Sequence, residues 1–205
     1  MRKLYFLSSL IVILISSCSR DDASLLSPST SEGTITDGIY SSEQFGWTIK
    51  IPPSWEIVTS NTDFDTIRRE GRKMMNEAEV NVPEANKPIK LLFAKRDDSS
   101  LAVIAEKILP RNDVSIMRQT ELQKEMILKT YENSGISIID SKVDEGDLGG
   151  QPCGITRIAI NADNPFGQVY YTFKRRGYWL SMVVTFTDPI LRDEIYEALN
   201  GCTFN

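Results

Sequence analysis

The three cysteines of this 205-residue chain are the side chains whose chemistry the sequence specifies best. Cys18 follows the small residues Ser16 and Ser17 at the end of an apolar run, where a thiol can accept a lipid chain. Cys153 and Cys202 are the two other thiols. Export from the reducing cytosol would allow them to form a disulfide, and two independently buried thiols are the alternative.

The segment before Cys18 has the organisation of an export signal. Arg2 and Lys3 precede the apolar span Leu4 to Ile15, in the order of charged and apolar regions that is typical of a signal peptide. The span has about 12 residues, whereas an α-helix needs about 20 to cross a bilayer. The run Ile15-Ser16-Ser17-Cys18 resembles the lipobox of bacterial lipoproteins, which implies cleavage after residue 17 and lipid on Cys18. A plain secretory peptide is the alternative.

The sequence contains no histidine, and this excludes several classes of site. A Ser-His-Asp triad, a Cys-His pair and a histidine-bearing zinc site all require that side chain. We therefore predict no catalytic residues, no metal ligands and no cofactor. A Ser-Lys dyad and paired carboxylates remain open.

Two acidic runs could supply paired carboxylates, but each is better interpreted as a turn. Asp97 and Asp98 separate two apolar runs and predict a hairpin loop. The Asp-Glu-Gly-Asp run at 144–147 lacks the spaced ligands and closing glutamate of an EF-hand, so we predict a turn at a strand end.

The charge balance disfavours nucleic acid as a partner. The chain has 23 basic and 28 acidic residues, and removal of residues 1–17 takes away Arg2 and Lys3, which makes the net charge about −7. Phosphate contact depends on a local excess of lysine and arginine. Attachment to a membrane would have to come from acyl chains on Cys18.

Composition divides the chain into a signal peptide (1–17), a lipidated cysteine with a flexible tether (18–42) and a single globular domain (43–205). The tether is rich in Ser, Thr, Asp and Gly, a composition that is typical of a disordered linker. Its run Ser19-Arg20-Asp21-Asp22 resembles the acidic export signals of Bacteroidetes lipoproteins, which implies that the domain faces the outside of the cell. An ordinary solvated linker is the alternative.

Apolar periodicity predicts an α+β domain built on an antiparallel sheet. Strands are predicted at 47–51, 89–95, 101–109, 136–143, 154–161, 167–175 and 178–187, with helices at 63–79, at 115–134 and from Asp188 to Gly201. In the last strand, the even-numbered side chains from Tyr178 to Phe186 are expected in the core. A helix is expected to cover part of the opposite face.

One predicted helix carries an apolar pair outside its main apolar stripe. Leu122 and Met126 are four residues apart and lie almost opposite Ile127 and Tyr131 at 100° per residue. They are a candidate partner surface. The alternative is that the tether or a neighbouring loop covers them.

The order of elements and the run Gly46 to Trp55, GWTIKIPPSW, resemble the PsbP-like family. The resemblance covers about Glu43 to Asn205 and implies an α/β/α sandwich around an antiparallel sheet. The family acts mainly through accessory or binding proteins. Metal binding in that family involves histidine, so no ligand is carried over to this chain.

Two functions are therefore open. The preferred one is a lipid-anchored, non-catalytic binding or accessory module of the cell envelope. Its lipid would hold it to a membrane, with the outer membrane expected and its external leaflet as a further option. Its partner would be an envelope protein or a glycan. The alternative is an envelope hydrolase with paired carboxylates and a sugar platform of five aromatic residues: Trp47, Trp55, Trp179, Tyr170 and Tyr171.

Overall fold

A computed structural model describes residues 32–59, 89–110, 113–161 and 165–205. Within these ranges the chain forms two antiparallel sheets and two helices. The smaller sheet has the strand order β1 (Thr34–Thr36), β2 (Ile39–Ser42), β3 (Trp47–Lys50) and β11 (Thr203–Phe204). The larger sheet has the order β4 (Glu56–Ile57), β5 (Ile89–Arg96), β6 (Ser99–Lys107), β10 (Tyr178–Phe186), β9 (Phe166–Arg175), β8 (Gln151–Asn161) and β7 (Ser137–Leu148). The helices are α1 (Ile116–Asn133) and α2 (Pro189–Asn200).

Strand β10 lies inside the larger sheet and is buried on both faces. Leu180, Met182 and Val184 belong to a core shared with the smaller sheet and α2, whereas Val183 belongs to a second core with Ile127 of α1. Alternate side chains of a strand point to opposite faces of the sheet. The two helices therefore lie on opposite faces, which confirms the predicted antiparallel sheet flanked by helices.

Two-residue turns join two pairs of the long strands. Gly149 and Gly150 join β7 to β8, and Arg176 and Gly177 join β9 to β10, with positive φ at all four residues. Such turns match the right-handed twist of the strands they connect, and glycine reaches positive φ without steric cost. The register of β7 with β8 and that of β9 with β10 follow from these turns.

Helix α2 begins and ends where its capping residues predict. The Asp188 side chain accepts a hydrogen bond from the Ile190 amide at 2.7 Å, Pro189 occupies the first turn, and Gly201 caps the C-terminus. A carboxylate at this position satisfies an amide that has no partner within the helix. Gly201 has φ of −87° and therefore does not use the left-handed conformation that glycine often supplies at helix ends.

A network of hydrogen bonds around Glu194 holds α2 against the rest of the fold. Its carboxylate accepts hydrogen bonds from Ser54 Oγ at 3.0 Å, Trp55 Nε1 at 3.2 Å and Arg96 Nη1 at 2.9 Å. The hydroxyl of Ser54 and the guanidinium of Arg96 lower the pKa of Glu194. Three segments that are distant in sequence thus meet at one carboxylate, just beyond the Pro52-Pro53 break where the chain leaves the smaller sheet.

The β9–β10 turn connects the two sheets through its arginines. Arg176 donates hydrogen bonds to the carbonyl oxygens of Glu43 at 2.8 Å and Asn205 at 2.9 Å. Arg175 donates to Phe45 O at 2.9 Å and also to Asn205 O. The segment after β2 and the segment after β11 are therefore held to the same turn.

The domain begins earlier than the sequence predicts. Residues 34–42, assigned above to the flexible tether, form β1 and β2, and the Tyr40 side chain is 1% exposed. The Tyr40 hydroxyl donates to the carbonyl of Glu32 at 2.9 Å, and its ring lies 5.0 Å from that of Trp47. Because this stretch is polar, its composition did not predict the short hairpin. Tyr40 is the aromatic residue that the hairpin buries in the core.

The Asp-Glu-Gly-Asp run is also placed differently from its prediction as a turn. Residues 144–147 continue β7, and the turn follows at Gly149 and Gly150. Gly146 pairs with Cys153, and a Cβ atom on Gly146 would overlap the Ile155 side chain. Glycine is needed here for close cross-strand packing, not for a change of chain direction.

Several predictions from the sequence lie outside the described residues. They are the signal peptide at 1–17, the lipid acceptor Cys18, the linker up to residue 31 and the helix at 63–79. Among the described residues, no helix is both long and apolar enough to span a bilayer.

Helix α1 packs on β8 so closely that Gly154 leaves no room for a side chain. A Cβ atom there would overlap Thr120 Oγ1, which is held by a 2.8 Å hydrogen bond to Ile116 O. We predict that Gly154→Ala destabilises the fold by about 1–3 kcal/mol, measured by chemical denaturation. Gly201→Ala is the matched control, since its nearest contacts would be ordinary ones at 3.5 and 3.7 Å.

Removal of the obstructing groups should relieve part of this effect. In a Thr120→Ala background, Gly154→Ala is expected to cost less than it does in the parent chain. Equal costs in the two backgrounds would show that Thr120 is not the source of the clash.

Candidate binding surfaces

A groove of about 490 Å³ lies on the α2 side of the larger sheet, where β7, β8 and β9 extend beyond the helix. We call it the α2-side groove. Its prominent side chains come from four elements: Ile139, Arg157, Phe186, Arg192 and Tyr196.

The shape of this groove follows from one glycine on β9. Gly167 pairs with Phe186, and a Cβ atom on Gly167 would overlap the phenylalanine ring. The distal part of the ring therefore occupies the space above Gly167, and its centroid lies 6.4 Å from that of Tyr196 in an edge-to-face arrangement. The Arg192 guanidinium lies 5.8 Å from the Phe186 centroid and 6.0 Å from the Tyr196 centroid, within range of cation–π attraction.

The charges of the groove are arranged mainly as pairs. Arg157 Nη1 lies 2.5 Å from Asp144 Oδ2, and Lys142 Nζ lies 2.8 Å from Asp144 Oδ1. Hydrogen bonding by Lys142, followed by the charges of Lys142 and Arg157, lowers the pKa of Asp144. Burial raises the pKa of Tyr196, so its hydroxyl stays protonated at neutral pH. The groove thus offers aromatic surface, a tyrosine hydroxyl and two guanidinium groups.

A second groove, of about 420 Å³, lies on the opposite face of the same edge. We call it the α1-side groove. It runs between the end of α1 and the start of β7, and its apolar lining is Leu128, Ile136 and Ile138. Ile139, the next residue along β7, lines the α2-side groove instead. The pairing of β7 with β8 shifts between Ile138 and Asp140, and the Ile139 side chain is 64% exposed.

The predicted sugar platform is wrong for four of its five residues. Trp47, Trp55, Trp179 and Tyr170 are all buried, and Tyr171 is half-buried against the core. Tyr170 and Tyr131 both donate to Gln168 Oε1, at 2.6 and 2.7 Å, beneath α1. These aromatic side chains form the interior of the domain and do not present stacking surfaces for a ligand.

The predicted partner surface on α1 faces away from the core. The buried face of the helix consists of Thr120, Gln123, Ile127, Thr130 and Tyr131. Leu122 is 36% exposed and Met126 is half-buried. A role for this pair in association stays a prediction.

The two cysteines of the domain are free thiols, both buried. Cys153 lies on β8 opposite Gly146, and Cys202 follows α2 with its carbonyl against Gly149. Burial raises the pKa of Cys153 to about 11 and also raises that of Cys202. Both side chains therefore pack as protonated, small apolar groups.

Within the described ranges, no three cysteine, aspartate or glutamate side chains lie together in a group that could hold a metal ion. The described acidic residues are distributed over both helices, several strands and the turns. The structure thus offers concave surfaces, and the described acids do not converge on either groove.

Comparison with known proteins supports the fold. No family model and no curated protein matches the chain. The solution structure of cyanobacterial PsbP (CyanoP) from Synechocystis sp. PCC 6803 is similar at 13% identity, with 87% of this chain and 100% of that chain covered and a TM-score of 0.50. A crystal structure from Bacteroides thetaiotaomicron VPI-5482 is similar at 9% identity, with 83% and 49% covered and a TM-score of 0.45. The chain therefore has a PsbP-like fold, as the run Gly46 to Trp55 implied.

Neither groove was identified from the sequence. Arg157 and Arg192 are 35 positions apart, and nothing in the spacing of residues indicates that β8 and α2 bring them to one surface. One signal was available, since the adjacent Ile138 and Ile139 interrupt strict alternation at the start of β7.

We predict that charged replacements on the outer face of α1 affect association more than folding. The double variant Leu122→Glu, Met126→Glu should unfold cooperatively, within about 1 kcal/mol of the parent chain, in thermal or chemical denaturation. Ile127→Glu is the control, because that side chain is fully buried and its replacement should abolish cooperative unfolding. Loss of cooperativity in the outer-face variant would show that both residues are core residues.

The thiols give a second test. In a Cys18→Ala chain kept free of reductant, Cys153 and Cys202 should react slowly with iodoacetamide at pH 8, because burial keeps them protonated and inaccessible. After denaturation both should be alkylated, as read by mass spectrometry. Two unmodified cysteines in the denatured, unreduced chain would demonstrate a disulfide.

Proposed function

We propose that this protein is a lipid-anchored, non-catalytic accessory module of the cell envelope that binds a protein partner. The observation that carries the proposal is the character of the α2-side groove. Its lining has one carboxylate, Asp140, and no tryptophan. A glycan hydrolase of the kind considered above would need two carboxyl groups about 5–10 Å apart across the bond to be cleaved.

The distribution of aromatic residues agrees with a binding role. The tryptophans that could have stacked against sugar rings are buried, whereas the accessible lining of both grooves is mainly apolar with polar groups among it. Apolar surface bordered by polar groups is typical of protein contact sites. A glycan partner would use more aromatic and amide surface than either groove presents.

The anchor is proposed from the sequence before the described residues. The apolar span 4–15 and the run Ile15-Ser16-Ser17-Cys18 support processing at Cys18. One acyl chain gives marginal membrane binding, whereas two or three make attachment effectively permanent. The outer membrane is the proposed site, and the acidic run after Cys18 supports exposure at the cell surface.

The anchor can be tested directly. We predict that Cys18→Ala abolishes both labelling with radioactive palmitate and retention in membranes after a high-salt wash. Ser16→Ala is the matched control, since it keeps a small residue before the cysteine and should be processed and retained normally. Normal processing and membrane retention of the Cys18→Ala chain would contradict the proposal.

A further inference from the structure

Strand β7 forms one edge of the larger sheet. It has 12 residues, Ser137–Leu148, and among the described strands it pairs with β8 alone. The outer edge of such a strand presents backbone N–H and C=O groups in a row, and these can pair with another strand. Its length exceeds the five or six residues of an average strand.

The two grooves flank the first half of this edge, on opposite faces of the sheet. Ser137, Ile138 and Ser141 line the α1-side groove, whereas Ile139 and Asp140 line the α2-side groove. A strand that pairs with β7 would direct alternate side chains to the two faces. It could therefore place apolar side chains in both grooves while its backbone bonds to β7, which is the geometry of recognition by strand addition.

The charge of β7 selects among the strands that could occupy this edge. The strand carries Asp140, Asp144, Glu145 and Asp147 against a single Lys142. Asp144 already contacts Lys142 and Arg157, so the other three acids give the edge its excess negative charge. A second copy of β7 would bring like charges together, which destabilises a strand pair. A basic segment would find opposite charges.

We propose that β7 is a docking edge for an extended, basic segment of a partner protein. The segment adds an eighth strand to the larger sheet. Its apolar side chains enter the α1-side and α2-side grooves beside Ile138 and Ile139, and its lysine or arginine side chains lie beside Asp140 and Glu145. The proposal deepens the binding role argued above and rests on it, because it specifies the surface and the class of partner.

The probe is a fluorescein-labelled nine-residue peptide in which pairs of valines alternate with pairs of lysines, so that both faces of the strand carry apolar and basic side chains. It is tested by fluorescence anisotropy against the full chain in detergent at physiological salt. Saturable binding is expected. The same peptide with N-methyl groups on every internal residue keeps every side chain and charge but cannot donate backbone hydrogen bonds from either edge. It should bind at least tenfold more weakly. Equal binding of the two peptides would overturn strand addition and leave only charge attraction.

Matched variants locate the site on the protein. The double variant Asp140→Lys, Glu145→Lys should weaken binding at least tenfold. The control pair Asp98→Lys, Glu125→Lys makes the same change of charge at exposed positions away from β7 and should change binding less than twofold. Equal loss in both pairs would show that net charge, not the edge, attracts the peptide.

Two further outcomes would overturn the docking proposal. Concentration-dependent dimerisation of the full chain, abolished by the variant pair on β7, would assign the edge to a second copy. Failure of the unmodified peptide to bind would mean that the acids serve to keep the edge unpaired. The membrane retention of the Cys18→Ala chain does not depend on either result. Failure of the docking site can therefore be distinguished from failure of the anchor.

Discussion

The rest of the structure depends on the burial of strand β10 from both faces. Its buried apolar side chains lie on both faces, with Met182 on one and Val183 on the other. Neither set can be left in water without losing the main contribution to stability. The fold therefore needs a layer above and a layer below this strand. Helix α1 covers one side, and α2 with the smaller sheet covers the other.

These layers do not cover every strand of the larger sheet equally. On one face, α2 and the smaller sheet pack with residues of β6, β9 and β10 around Leu180. On the other face, α1 reaches β7, β8 and β9. The α2 face of the first part of β7 and the last part of β8 receives little cover, which is why Arg157 and Ile139 are accessible there. The α2-side groove is thus a consequence of how far the second layer extends.

The elements that the sequence predicts well have local causes. Asp188, Pro189 and Gly201 define α2 without reference to the rest of the chain, and paired residues such as Gly149 and Gly150 define turns. The class of fold could be predicted because strands joined by such turns must be antiparallel.

The features that the sequence does not predict depend on contacts between distant segments. Tyr40 is a core residue in a polar stretch because Trp47 and Glu32 lie beside it. Glu194 becomes a junction only when Ser54 and Arg96 are brought to it. Strand spacing alone could not distinguish buried tryptophans from an exposed platform for a ligand. The burial of Trp47 and Trp55 depends on the position of the smaller sheet.

The attachment of the smaller sheet by Arg176 would have a mechanical consequence if the protein is held by its N-terminus, as we propose. A pulling force from that end first breaks the hydrogen bond from the Glu32 amide to Lys90 O. It then reaches β1 at Thr34, the open end of the β1–β2 hairpin. Hydrogen bonds loaded from an open end break one after another, so this hairpin would peel at low force. Arg176 holds the carbonyl of Glu43 directly after β2, and from this point the force is shared with the larger sheet. The first strands can therefore lengthen under load as an extensible segment while the grooves and the β7 edge keep their shape.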